Sequence, residues 1–212
     1  MSFFSMNSPI YRFMQKMTDI LVLSLLWLLC SLPIVTIGAS TTAAYYVGLK
    51  LVVNEETYIS KMFFKAFLEN FWQGSILGIL SLFFGYVLWV NYNYCFNIAS
   101  KRPIGMIVCT FIGTVIYIFS FLYAFALTAR YENTIFHMIR NSFLLSLRYI
   151  VRTIIILAMV AAVLAIGLWN ITTIFLFILL GPGAIVYISC AYILKIFHKT
   201  EEKDRKRAVI SE

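Results

Sequence analysis

Charged residues are scarce in this chain of 212 residues, and their absence is concentrated in long stretches. Asp, Glu, Lys and Arg make up 12% of the residues, and hydrophobic types make up 62%. Soluble domains are about 25% charged and about 45–50% apolar, so this composition excludes a soluble globular protein. The stretches without any charged residue are Ile20–Leu49, Asn70–Ser100, Pro103–Ala129 and Thr153–Leu194. Because about 20 apolar residues in a helix cross a hydrocarbon core, each stretch predicts at least one transmembrane helix.

Residues that perform catalysis or bind metals are also few. The nine acidic residues lie at the edges of the apolar stretches or outside them, so proton coupling through a carboxylate inside the membrane is not expected. The two histidines, His137 and His198, do not cluster, and no phosphate-binding loop, H-E-x-x-H or G-x-S-x-G motif occurs. We therefore expect no enzymatic activity, no metal and no cofactor.

Cysteine is rare as well, and its four copies form no C-x-x-C pair. We interpret Cys30, Cys95, Cys109 and Cys190 as small apolar residues inside the spans. The alternative is a disulfide between Cys95 and Cys109, which would bracket a basic loop on an oxidising side of the membrane.

The order of apolar stretches predicts one all-α domain over residues 1–198, a polytopic transmembrane helical bundle with amphipathic interfacial helices. Its spans are expected at about 20–33, 40–53 (a short helix), 71–95, 103–129, 153–169 and 174–196. Residues 199–212 would form a basic cytoplasmic tail. Amphipathic segments lead directly into three of the spans and are expected to lie in the membrane surface: Pro9–Asp19, Thr57–Phe71 and Glu132–Arg152.

Proline and glycine interrupt the first and the last of these stretches. Pro33 and Gly38 would break the first one over Ile34–Ala39, because proline removes a helical hydrogen bond and glycine permits a sharp bend. In the last stretch, a kink is expected at Gly181, Pro182 and Gly183.

Hydroxyl side chains cluster around the first interruption, at Thr36, Ser40, Thr41 and Thr42. One interpretation is that they satisfy backbone groups freed by the broken helix, which lipid cannot do. The other is that they line a small polar cavity together with the kink in the last span, as broken helices do in transporters. The sequence is compatible with both.

Another pair of glycines, Gly74 and Gly78, stands at the start of the 71–95 span with the spacing G-x-x-x-G. One interpretation is that the spacing is due to chance or to packing within the same chain. The other is that it lets two helices approach each other closely.

The basic residues are distributed unevenly, which predicts an orientation. If 40–53 crosses the membrane, both termini are cytoplasmic and only Lys101 and Arg102 of the 17 basic residues face outward. If it does not cross, Arg12 and Lys16 move outside as well. The positive-inside rule favours the first arrangement. At the ends of spans these residues would meet anionic lipid headgroups, so nucleic acid is not an expected partner.

One run of residues is more specific than composition. Leu32–Leu51 begins LPIVTIGASTTAAYY and ends LKL. This run, with L-P-[IV]-V-T-I-G as its specific core, resembles the YesL-like family of bacterial membrane proteins. Phe63–Phe71 resembles the aromatic-rich segment of that family, although the lysine that often stands at the position of Leu68 or Glu69 is missing here.

The resemblance implies a multi-pass protein of the bacterial inner membrane, in a family of unknown function that is often associated with carbohydrate ABC transport and polysaccharide utilisation. The leading hypothesis is a non-enzymatic accessory component of a carbohydrate transporter, whose partners are the lipid bilayer and ABC transporter subunits. The alternative is a small-solute transporter or permease that uses the broken helices near Pro33–Gly38 and Gly181–Gly183. The family offers no catalytic residues to carry over.

Overall fold

The fold is all-α over the residues that the structure, a computed structural model, describes: 9–53, 58–98 and 104–210. These ranges contain helices and turns without any strand, which confirms the predicted helical bundle. The helices are α1 (Pro9–Cys30), α2 (Ile37–Val52), α3 (Ile59–Glu69), α4 (Phe71–Asn93), α5 (Ile104–Phe121), α6 (Ala124–Arg130), α7 (Ile135–Arg148), α8 (Ile150–Gly167) and α9 (Ile171–Ile210). A 3-10 turn at Ile34–Thr36 precedes α2, and a π-helical turn at Tyr94–Ile98 follows α4.

Five helical segments are long and apolar enough to cross a membrane: Phe13–Cys30, Phe71–Asn97, Ile104–Arg130, Ile150–Gly167 and Ile171–Glu201. Large apolar side chains on these segments are exposed, including Trp72 at 77%, Phe111 at 63% and Phe175 at 66%. Such extensive apolar surface is unfavourable in water and matches the acyl chains of a bilayer. The chain is therefore a multi-pass membrane protein.

Helix α2 lies at the centre of the bundle, although it is shorter than those five segments. It packs against α1, α3, α4, α6 and α9, and every side chain from Gly38 to Tyr45 is buried except the half-buried Thr41. Its 16 residues extend about 24 Å, less than a hydrocarbon core of about 30 Å. Enclosed by other helices, α2 presents little surface to lipid.

The interruption before α2 lies earlier than the sequence predicts. The prediction places non-helical residues as far as Ala39, but α2 begins at Ile37, so Gly38 lies inside the helix. The observed turn comprises Ser31–Thr36 and contains Pro33. Proline is sufficient to end α1, because it also restricts the residue before it to extended conformations. Gly38 is therefore not a hinge.

Helix α9 runs without interruption from Ile171 to Ile210, through Pro182. It continues past the predicted end of the last span at residue 196, so the basic tail prolongs the same helix as far as Ile210. Its 40 residues correspond to about 60 Å, more than one crossing requires. Of the two broken helices that the permease hypothesis requires, the described residues contain only the first.

The span predicted at 103–129 is interrupted where the sequence gives no warning. Helix α5 ends at Phe121 and α6 begins at Ala124, so that Leu122 and Tyr123 form a turn between them. Neither proline nor glycine lies within this turn. Serine side chains of α7 hydrogen-bond to the backbone at this turn.

Two of the three amphipathic segments form separate helices, α3 and α7, as the sequence predicts. Each buries one face and exposes basic residues on another, Lys61 and Lys65 on α3 and Arg140 and Arg148 on α7. The first segment, Pro9–Asp19, is instead continuous with the first span within α1. No breaking residue separates the two, and the helix simply continues.

The cysteines Cys30, Cys95, Cys109 and Cys190 are free thiols. The alternative of a disulfide between Cys95 and Cys109 is therefore wrong. Cys95 and Cys190 are buried as small apolar side chains, whereas Cys109 is exposed on α5.

Candidate functional site

The turn between α1 and α2 is closed by the hydroxyl of Thr36. Its Oγ1 lies 2.7 Å from the carbonyl oxygen of Cys30 and 2.8 Å from that of Pro33, as a donor to either. The backbone N–H of Thr36 donates to the Pro33 carbonyl at 3.0 Å. The carbonyl at the end of α1, which lacks a helical N–H partner, thus has a hydroxyl within hydrogen-bonding distance.

The remaining hydroxyls of the predicted cluster lie on the first turns of α2. Thr41 Oγ1 donates to the Ile37 carbonyl at 2.7 Å and accepts a hydrogen bond from Trp27 Nε1 at 3.1 Å. Thr42 Oγ1 donates to the Gly38 carbonyl at 2.9 Å. These threonines are bonded to their own helix and to α1, which leaves few groups for a ligand. Ser40 is fully buried, and its hydroxyl has no hydrogen-bond partner in the described part of the chain.

Three glycines hold α2 against α4 at backbone contact. A Cβ added to Gly38 would overlap the carbonyl oxygen of Gly74 and lie 2.7 Å from the Cα of Gly78. A Cβ on Gly74 would lie 2.7 Å from the Cα of Ala39, and a Cβ on Gly78 would lie 2.7 Å from the Cα of Gly38. Gly74 and Gly78 of the G-x-x-x-G pair therefore pack against Gly38 of the same chain. No side chain separates the two helices there.

The glycines around Pro182 allow similarly close packing on α9. A Cβ on Gly183 would overlap the Ile20 carbonyl and the Ser24 hydroxyl of α1, and a Cβ on Gly181 would overlap the ring of Phe177. Ser24 Oγ accepts a hydrogen bond from the backbone N–H of Gly183 at 2.9 Å. A proline disturbs the hydrogen bonds of the turn around it, and here a side chain from α1 serves as acceptor.

The turn between α5 and α6 is stabilised in the same way by α7. The backbone N–H of Tyr123 donates to Ser142 Oγ at 3.2 Å. The Phe119 carbonyl accepts hydrogen bonds from Ser142 Oγ at 3.1 Å and from Ser146 Oγ at 2.9 Å. Sequence reasoning missed these serines. Their spacing of four residues on the buried face of α7 is a weak signal, since serine is common on helices.

The structure has a cleft of about 340 Å³ at the end of α2 that lies away from the turn at Ser31–Thr36. We call it the basic cleft, and it is lined by Tyr46, Leu49, Lys50, Val53, Ala129, Arg130 and Leu194. None of the residues at the two interruptions lines it.

Arg130, on the wall of the basic cleft, links the end of α6 to α9. Its Nη2 donates to the two carboxylate oxygens of Glu201 at 2.9 and 3.2 Å, and the Tyr131 hydroxyl donates to the same carboxylate at 2.6 Å. The guanidinium also lies 5.3 Å from the centroid of the Phe197 ring. This ion pair offsets positive charge at Arg130.

The His, Cys, Asp and Glu side chains are dispersed over the described part of the chain. Nowhere among them do three or more His, Cys, Asp or Glu side chains come together to hold a metal ion. Thr134 Oγ1 and His137 Nδ1 lie 2.6 Å apart at the start of α7, where both residues are exposed. An active site is normally concave and sheltered from water, and this exposed pair has no such shelter.

A family model described as "Protein of unknown function, DUF624" matches residues 20–92 of the chain. The matched region extends from the middle of α1 almost to the end of α4, so it contains the turn at Ser31–Thr36, the central helix α2 and the three packed glycines. Neither a curated protein nor a solved structure matches the chain.

Proposed function

We propose that this chain is a YesL-like protein of the bacterial inner membrane that acts, without catalysing a reaction, as an accessory component of a carbohydrate ABC transporter. The observation that carries the choice of accessory component over permease is the packing of α2. The helix that would have to line a pathway is enclosed by five others, and at Gly38 it lies in backbone contact with α4.

The hydrogen bonds at the interruptions support the same choice. A permease presents the backbone groups of a broken helix to its substrate. Here the Cys30 carbonyl, the Gly183 N–H and the Tyr123 N–H each have a hydroxyl partner. A substrate would have to displace these partners, which are buried or half-buried. We therefore favour hydroxyls that stabilise the bundle over hydroxyls that bind a solute.

The arrangement of α1, α2 and α9 supports a cytoplasmic location of both termini. Trp27, near the end of α1, bonds Thr41, near the start of α2, so these helices form a hairpin. Helix α2 runs alongside α9, since the Cys190 thiol contacts the Tyr45 carbonyl and the basic cleft joins Lys50 to Leu194. The start of α1 and the end of α9 then lie at one end of the bundle, where basic residues accumulate. The positive-inside rule assigns that end to the cytoplasm.

The same end of the molecule offers a surface for a protein partner. Lys61 and Lys65 on α3, and Arg140 on α7, are exposed on helices whose other faces are buried. The family resemblance supplies the expected partner, a membrane or cytoplasmic subunit of a carbohydrate ABC transporter.

Site-specific photo-crosslinking in native membranes tests this proposal. A photoreactive residue in place of Lys65 or Arg140 should capture a subunit of a carbohydrate ABC transporter. The matched control is the same residue in place of Phe111, which is exposed on the apolar surface of α5. Isolation of the protein without any transporter subunit, or equal capture from Phe111, would contradict the proposal.

The permease alternative has its own test. Saturable uptake of a sugar or another small solute into vesicles containing only the purified chain would favour it over the accessory function. A substitution at Gly38 is a poor probe of such uptake, because any side chain there collides with α4. Thr41→Val is better suited, since it removes a hydroxyl near the turn and nearly preserves the volume of the side chain.

A further inference from the structure

An arginine-rich corner lies where α7 ends and α8 begins. Tyr149 is the residue between the two helices, Arg148 is the last residue of α7, and Arg152 lies in the first turn of α8. The guanidinium carbons of both arginines lie 5.8 Å from the centroid of the Tyr149 ring. We call these three residues the arginine corner. Both cations thus lie beside the same aromatic ring.

Neither guanidinium of the arginine corner has an anionic partner within the described ranges. The ion pairs found there are Lys65 with Glu69 and Arg130 with Glu201. Arg148 is exposed, whereas Arg152 is half-buried, and its Nη1 is a buried atom without any hydrogen-bond partner among the described residues. A charged N–H that is removed from water and left unpaired is unfavourable. Polar contacts among the described residues therefore do not account for the position of Arg152.

The helix geometry makes the position of Arg152 still less favourable. The first turn of a helix carries a partial positive charge, so a cation there is repelled and an anion is attracted. Arg152 is the third residue of α8, whose first turn contains no acidic residue. An anion bound between Arg148 and Arg152 would offset the charge of both side chains and of the helix terminus.

The surroundings indicate that the anion belongs to a lipid. Helix α8 is one of the candidate membrane spans, and its first residues expose apolar side chains, Ile150 at 45%, Val151 at 68% and Ile154 at 56%. An acyl chain can run along this face while its headgroup stays at the helix terminus. The ring of Tyr149 is held in place by a hydrogen bond from Thr200 Oγ1 to its hydroxyl at 3.2 Å.

We propose that the arginine corner binds the phosphodiester headgroup of an anionic phospholipid. Arginine matches phosphate because its planar guanidinium can donate two parallel hydrogen bonds to one phosphate group. A lipid site here requires only that the chain lies in a membrane, so it is independent of the transporter partner proposed above. The lipid would anchor the α7–α8 corner at the depth of the headgroups.

Native mass spectrometry of the purified protein in detergent tests the lipid site, with phosphatidylglycerol and phosphatidylcholine as probes. We expect phosphatidylglycerol to bind more tightly to the unmodified protein. The double variant Arg148→Gln, Arg152→Gln should lose at least about tenfold in affinity for phosphatidylglycerol, because charge-assisted hydrogen bonds to both guanidiniums are removed. The matched control is Arg140→Gln, which removes an exposed charge from α7 at a distance from Tyr149 and should retain the affinity.

Further measurements separate a lipid site from a free-anion site and from misfolding. Inorganic phosphate should not displace the bound lipid, since it lacks the acyl chains that contact α8, and displacement at comparable concentration would overturn the proposal. Equal affinity of the double variant and the Arg140→Gln control would also overturn it. If the double variant does not fold, Arg148→Lys with Arg152→Lys replaces it. That variant keeps both charges, and it should lose the preference for phosphatidylglycerol only in part.

Discussion

Ser24 in α1 and Gly183 in α9 are joined by a buried hydrogen bond across 159 residues of the chain, with the Gly183 N–H donating to Ser24 Oγ at 2.9 Å. Gly183 directly follows Pro182, whose ring disturbs the hydrogen bonds of its turn. The hydroxyl of Ser24 thus bonds the backbone of α9 directly after the proline. This contact joins α1 to α9 at the Gly-Pro-Gly sequence.

Ser24→Ala should destabilise the bundle, because it removes the buried hydrogen bond that joins α1 to α9. The expected loss is about 1–3 kcal/mol of unfolding free energy, measured by denaturation of the purified protein in detergent. Ser60→Ala, on the exposed side of α3, is the matched control and should change little. A loss no larger than that of the control would show that the bond does not stabilise the fold.

Gly38→Ala should also destabilise the bundle, since the added methyl group meets the backbone of α4 rather than a movable side chain. Overpacking of this kind costs about 1–3 kcal/mol, and here the figure should lie at the upper end. Gly105→Ala provides the comparison, because a Cβ at Gly105 meets no atom within 4 Å. That change should be neutral or stabilising through helix propensity. Thermal unfolding in detergent measures both, and equal melting temperatures would contradict the close contact.

The serines of α7 should differ in importance. Ser142→Ala removes both the acceptor of the Tyr123 N–H and a donor to the Phe119 carbonyl, whereas Ser146→Ala removes only a donor to that carbonyl. We expect Ser142→Ala to cost about 1–3 kcal/mol and Ser146→Ala less. The double variant should lose more unfolding free energy than the sum of the two single losses, because the Phe119 carbonyl then keeps neither donor. A larger loss for Ser146→Ala than for Ser142→Ala would disprove this assignment.

Cysteine labelling should place the end of α2 on the same side of the membrane as the extension of α9. In a background with the exposed Cys109 changed to serine, Val53→Cys and Lys199→Cys should react with a membrane-impermeant thiol reagent added from the cytoplasmic side. Trp169→Cys, in the turn between α8 and α9, should react only from the other side. If Val53→Cys and Trp169→Cys instead react from the same side of the membrane, α2 does not bring the chain back across it.

Several features could be predicted from sequence because they depend on composition along one stretch of chain. The charge-free stretches predict α4, α8 and much of α9, and the basic amphipathic segments predict α3 and α7. Pro33 predicts the end of α1 for a local reason, its missing N–H. The function of Gly38 could not be predicted, since a glycine that permits a bend and a glycine that permits close packing look alike in sequence.

The sequence by itself determined that this is a helical membrane protein, because the free energy of placing a segment in lipid is a sum over its own residues. Only the tertiary structure decided that α2 is central and that Gly38 packs against Gly74 and Gly78. It also decided that serines on α7 bond the turn between α5 and α6. These features depend on pairs of residues far apart in the chain. The hydrogen bonds between hydroxyls of one helix and backbone groups of another depend on how the helices pack in three dimensions. No local sequence pattern encodes these pairs.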